Sequence, residues 1–431
     1  MIPIRIRIVA LIALGTIINY LDRINISVAG PQIMQETGWG KAEWGTVLSI
    51  FLVGYALFQY PGGALSDRWG PRKVIGFSCI GFSLFTALTP LGQSAMILLL
   101  VMRFMVGACE SMSFPSFASM NSRWIPRSEF ARAQAVLLSG VYLGQVLAYP
   151  TTTWIIVNYS WQTVFYVNAF VGLIWVALWL WYTRDEPQDH PSITPEEIEK
   201  IRLGTSGRSS APPLSFLNLI KNRMIIYLCL SYALYGFIAW MFIFWFPPYL
   251  MQGRGMETME MGLVGMVPIG SGFVGVMSAG WILDYLIKRG MDPRNVKIRL
   301  PGFLIVLSAP FLVLGVNVSS TTLAIASFGI FYCLFSAALA GYWSLPIELN
   351  PKFVGSIIGI ANTSANAVGV LGPITAGQIL ERTGDNWHAV FYLAAGLTVL
   401  CGAIYGLFVK ADPLKFDETS KSEGKSDFAS T

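Results

Sequence analysis

The chain has 431 residues, 54% of them hydrophobic and only 12% charged, about half the roughly 25% charged share of soluble globular proteins. That composition excludes a soluble enzyme and a nucleic-acid-binding protein. The net charge of +5 matters less than where the charges fall.

Apolar residues number about 233, close to the ~240 that twelve membrane helices of roughly 20 residues require. Apolar windows with charged or Pro/Gly punctuation predict spans near 8–29, 44–66, 73–92, 95–118, 131–155 and 162–182. After a polar interval, six more follow near 224–250, 261–286, 300–317, 320–346, 354–380 and 387–409. The fold class expected is an all-α membrane protein of twelve transmembrane helices in two six-helix bundles. Its parts are an N-terminal bundle over 1–183, a linker over 184–222, a C-terminal bundle over 223–410 and a disordered tail over 411–431. Within the linker, Thr194, Pro195, Glu196 and Glu197 form a capping-box pattern that opens a short charged helix to about Arg202, lying on the membrane surface.

Alternate loops differ sharply in charge. One side receives 24 of the 29 Lys and Arg residues, the other only Lys41, Arg254 and Arg382, with Arg23 and Arg103 inside spans. By the positive-inside rule both termini are cytoplasmic. The two halves also echo each other. Gly63 and Asp67 near the end of the second span recur as Gly280 and Asp284 near the end of the eighth. Trp161, Val164, Phe165 and Tyr166 at the start of the sixth recur as Trp387, Val390, Phe391 and Tyr392 at the start of the twelfth. Parallel six-helix repeats place a binding site between the halves, at mid-membrane.

Four charged residues sit well within the apolar spans: Asp22, Arg23, Arg103 and Glu110. A charge at the bilayer centre costs about 2.5 to 3.5 kcal/mol on insertion scales, so each is a functional candidate. Arg23 or Arg103 can anchor a substrate carboxylate, because a guanidinium offers two parallel donors to two oxygens. Asp22 and Glu110 can exchange protons as their surroundings change. Adjacent residues diverge by about 100° round a helix, so Arg23 is expected to face substrate and Asp22 the fourth helix. Tyr55, Gln59, Gln145, Tyr235, Trp343, Ser344, Asn362 and Asn366 supply hydrogen-bonding groups around the charges, which favours a polyhydroxylated acid. The five cysteines lack metal-ligand spacing and read as packing, and neither histidine pairs with a nucleophile. No metal or cofactor is expected.

The segment Gly63-Ala64-Leu65-Ser66-Asp67-Arg68-Trp69-Gly70-Pro71-Arg72-Lys73 resembles the signature loop of the major facilitator superfamily. Asn19-Tyr20-Leu21-Asp22-Arg23, the run from Arg103 to Glu110, the segment from Leu345 to Pro351 and the run from Gly359 to Gly369 are similar to its anion:cation symporter branch. The resemblance implies import of a small organic anion, such as an aldonate or hexuronate, across a bacterial inner membrane by a monomer. The acids would serve cation coupling, with protons preferred and sodium the alternative, and the arginines would serve substrate. Gly63, Asp67, Arg68, Arg72 and Asp284 would form a cytoplasmic gate. The competing readings are an organic-anion exchanger or exporter and a non-transporting sensor of organic acids.

Overall fold

The computed structural model describes residues 2–205, 222–350 and 354–410. Twelve helices among them are long and apolar enough to cross a membrane. They run Ile4–Thr37, Lys41–Trp69, Pro71–Ser94, Met96–Trp124, Ser128–Asn158, Trp161–Tyr182, Arg223–Gly253, Thr258–Lys288, Pro293–Asn317, Thr321–Pro346, Ile357–Thr383 and Trp387–Phe408. Most overrun the windows expected from hydropathy, because a helix keeps its backbone hydrogen bonds after it leaves the apolar layer. The first, expected over 8–29, spans 34 residues.

Local chemistry sets the joints. The first span ends at Gly38, whose φ of 73° is open to a residue without a Cβ. Gly70, at φ 88°, and Pro71 turn the second span into the third. Side-chain caps from Ser160, Asp292, Ser320 and Asn386 open the sixth, ninth, tenth and twelfth spans. The fourth span breaks at Ser111 and Met112, between helices Met96–Glu110 and Ser113–Trp124, which leaves Glu110 at a helix end.

Packing repeats between the halves. In the first half, spans one and five, two and four, and three and six pack together. In the second, the same pairing joins seven with eleven, eight with ten, and nine with twelve. Small residues let these pairs approach closely: a Cβ on Gly107 would overlap the Phe51 carbonyl, and one on Gly275 the Cys333 carbonyl.

The halves meet through spans five and eight, two and eleven, and one and seven. Contact is tight at the end carrying the loop between the first two spans. There, Gly45 would meet the Pro373 carbonyl, and Trp245 Nε1 donates to that same oxygen at 3.0 Å. Toward the opposite end, a Cβ on Gly280 or Gly359 would meet nothing within 4 Å among the described residues, and Asp67 and Asp284 are exposed.

The linker helix, Pro195–Thr205, extends past the expected end at Arg202 and docks on the first half. Glu197 accepts hydrogen bonds from the Ile4 and Arg5 backbone N–H groups at 3.1 Å each and from Arg5 Nη1 at 3.0 Å. It therefore satisfies donors that the start of the first span leaves open. Glu129 of the fifth span bridges Arg5 at 2.9 Å and Lys200 at 2.7 Å. The rest of the linker, from 206 to 221, and the tail expectation lie outside the described residues.

Gly107→Val drives a branched side chain into the second span, an overpacking worth about 1 to 3 kcal/mol. The purified variant is expected to melt at least a few degrees lower in detergent. Gly359→Ala, which fills open space, is expected to leave the melting temperature within about a degree.

Candidate functional site

The four charged residues expected in the apolar layer come together inside the first half, all at 3% relative exposure or less. Arg23 pairs with Glu110: its Nε donates to Glu110 Oε1 at 3.0 Å, and its Nη2 donates to the same oxygen. Arg23 thus engages the fourth span, where the helical-wheel argument expected Asp22. Asp22 instead accepts from Thr86 Oγ1 of the third span at 2.8 Å and from Asn25 Nδ2 at 3.2 Å. Arg103 acts on Asp22 through its field. None of its three guanidinium nitrogens has a hydrogen-bond partner among the described residues.

Aromatic rings enclose Arg23. Its Cζ lies 4.4 Å from the Tyr20 ring centre, 4.7 Å from Tyr55, 5.3 Å from Phe51 and 5.4 Å from Trp240. Trp240 belongs to the seventh span, so this guanidinium lies at the seam between the halves. Ring faces stabilise a buried cation while leaving its N–H edge available for an anion.

The polar residues expected around the charges divide into groups. Gln59 and Asn366 meet across the seam, with Asn366 Nδ2 donating to Gln59 Oε1 at 3.3 Å. Asn362 is half-buried one turn before Asn366. Gln145 is buried with Oε1 unpartnered among the described residues, and Ser344 Oγ is likewise buried without a partner. These are polar atoms that a polar ligand can satisfy. Trp343 is half-buried beside them. Tyr235 belongs to the core of the second half, its ring stacked on Phe335 at 4.1 Å.

Sequence reasoning missed Thr86, Tyr20, Phe51 and Trp240. Asn25 was within reach of it, since it stands one turn from Asp22 on the same helix.

Of the residues expected as a gate, Arg72 and Gly63 contact their own half. The Arg72 backbone N–H donates to Asp185 at 2.9 Å, its guanidinium to the Leu180 carbonyl, and Trp179 Nε1 to the Arg72 carbonyl at 3.1 Å. Gly63 stands 3.5 Å, measured from an added Cβ, from Pro115 of the fourth span. Asp67, Arg68 and Asp284 are exposed. At the opposite end a clasp does join the halves. Glu381 accepts from the Lys41 and Ala42 N–H groups at 2.8 and 3.4 Å, so an acid of the eleventh span caps the second. Lys41 also pairs with Asp385 and lies 5.4 Å from the Trp387 ring centre. A cleft of about 1090 Å³ opens outward from this clasp, lined by Gln35, Lys41, Gln252, Glu381 and Asp385 among others.

Two paired six-helix halves with charges buried beside their seam define a transporter. The family model of the Major Facilitator Superfamily matches residues 12–363, and the chain belongs to that family. It is 31% identical over 424 residues to the probable galactarate/D-glucarate transporter of Escherichia coli K12, covering 94% of each chain. It is also 31% identical over 399 residues to the probable sulfoacetate transporter of Cupriavidus necator, covering 91% of this chain and 90% of that one. A solved bacterial homologue of the human lysosomal transporter Spinster, in an inward-facing conformation, superposes with a TM-score of 0.78 at 19% identity, over 95% and 98% of the two chains. That likeness defines the fold.

Ser49 is buried at the seam, its hydroxyl donating to the Val370 carbonyl at 2.7 Å. In a background without the five native cysteines, Ser49→Cys is expected to react slowly with a water-soluble alkylating reagent. Adding Lys41→Gln and Glu381→Gln is expected to raise that rate several-fold, and an unchanged rate would show that the clasp does not hold the halves together.

Proposed function

We propose that the chain imports a small organic anion, a sugar acid, by proton symport across the inner membrane of a bacterium. The observation that carries this reading is the Arg23–Glu110 pair at the seam. Glu110 holds Arg23 as a substrate carboxylate would, so the two acids compete for one guanidinium. A substrate that takes Arg23 leaves Glu110 as a lone buried carboxylate, which is costly unless a proton arrives. Substrate and proton then bind together, and neither state leaves an unpaired charge on Glu110. Asp22, with neutral donors from Thr86 and Asn25, is the second proton carrier.

Tyr55, Gln59, Gln145, Ser344, Asn362 and Asn366 read the hydroxyl groups of the acid, and the Gln59–Asn366 contact opens to admit it. The relatives named for galactarate/D-glucarate and for sulfoacetate support an organic acid. Charge distribution supports cytoplasmic termini. On that orientation the clasped end faces outside, which leaves the opposite end as the route from the site to the cytoplasm. Both halves of the site come from one chain, so a monomer suffices.

In proteoliposomes, Glu110→Gln is expected to abolish accumulation of a sugar acid driven by a pH gradient while counterflow of the same acid stays detectable. Equal loss of both would reduce the pair to a structural salt bridge. Arg23→Lys lacks the planar fork and is expected to raise the half-saturating substrate concentration about tenfold or more.

A further inference from the structure

The strap that joins the sixth span to the linker helix carries one of the chain's two histidines. His190 is 5% exposed and wedged between Trp124 of the fourth span and Tyr182 of the sixth, with ring centres 5.8 and 5.1 Å away. Its Nδ1 accepts from the Ser192 backbone N–H at 3.2 Å. The single proton of the neutral ring therefore belongs on Nε2, and Nε2 is buried without a partner among the described residues. The ring also fixes the linker helix behind it. Ile193 N–H donates to the His190 carbonyl at 3.3 Å, Thr194 Oγ1 accepts from the Glu197 N–H at 3.3 Å, and the Glu197 carboxylate holds the Ile4 and Arg5 amides.

A second proton has no place on this ring. It would sit on Nδ1 and point at the Ser192 N–H, donor against donor. The charged groups that face the ring are Arg184 of the strap, Arg7 of the first span and Glu197 of the linker helix. Arg7 is tied in by its bond to the Tyr182 hydroxyl at 3.4 Å, and Arg184 by its carbonyl, which accepts from Trp124 Nε1 at 3.0 Å. Arg123, beside Trp124, is paired with Glu186 of the strap at 2.8 Å. Burial, then Arg184 and Arg7, hold the imidazole below its ordinary range, against the Tyr182 carbonyl and Glu197, which favour the charged form. We propose that protonation of His190 expels the turn from 190 to 192 and releases the linker helix, with Glu197, from the start of the first span. The hold of the linker on the first half then follows the pH at that end of the bundle, whatever anion the chain carries. An undocked strap binds protons at the ordinary histidine value of 6.5, so docking is complete above it and is lost as pH falls through it toward the lowered value of the docked ring.

The test is hydrogen exchange of the purified, untagged full-length chain at about pH 7.5 and about pH 5.5, corrected for the intrinsic pH dependence of the rate. The Ile4, Arg5 and Ser192 amides are expected to be protected at the higher pH and to lose between about threefold and tenfold of that protection at the lower, while amides within the spans keep theirs. The side chain in His190→Asn can accept where Nδ1 does and does not titrate, so its protection is expected to hold at both values. Equal wild-type protection at the two values overturns the proposal, and so does a His190→Asn chain that loses protection as the wild type does. Should that variant fail to fold, His388→Asn leaves His190 as the single histidine. Followed by NMR, its isotope-labelled ring is expected to carry its proton on Nε2 when neutral and to titrate below 6.5, and a midpoint at or above 6.5 overturns the release.

Discussion

The structure depends on keeping four charges dry inside one six-helix half. Two acids and two bases sum to zero, so the half can close around them. They are not matched one to one, however. Arg23 holds one oxygen of Glu110 and neutral donors hold Asp22, while Glu110 Oε2 and all three guanidinium nitrogens of Arg103 lack a hydrogen-bond partner among the described residues. A set that is neutral in total and incomplete in its hydrogen bonds is well suited to receive another anion, because the missing contacts are already in place and already desolvated. The aromatic enclosure of Arg23 serves the same end, since ring faces hold the cation without using its donors.

Much of this was legible in the sequence, for a simple physical reason. Membrane insertion is read residue by residue, so twelve apolar windows and four misplaced charges stand out in a chain that is otherwise only 12% charged. The pairing among those charges was not legible. Arg23 and Glu110 are 87 residues apart, and the wheel argument turned Asp22 rather than Arg23 toward the fourth span. Thr86 lies in an ordinary apolar stretch, and Trp240 reaches Arg23 only because the seventh span packs on the first. Lys41 was counted as a loop charge, and its partners Glu381 and Asp385 are some 340 residues away.

The same physics explains why the motif residues near Asp67 and the clasp at Lys41 behave differently. Both are charged segments at helix ends. Arg72 finds its acceptors at Leu180 in the sixth span and at Asp185 just past it, while Lys41 finds its acceptors in the opposite half. Contact across the seam is therefore ionic and capped at the end that carries Lys41.

Glu197 lies nearly two hundred residues beyond the Ile4 and Arg5 amides that it binds. A ribosome making the chain in order must complete all six spans of the first half before that acid emerges. Until then the Ile4 and Arg5 amides have no acid to accept from them. The finished latch records that the whole half has been made, and early release of a truncated half would leave its leading end loose.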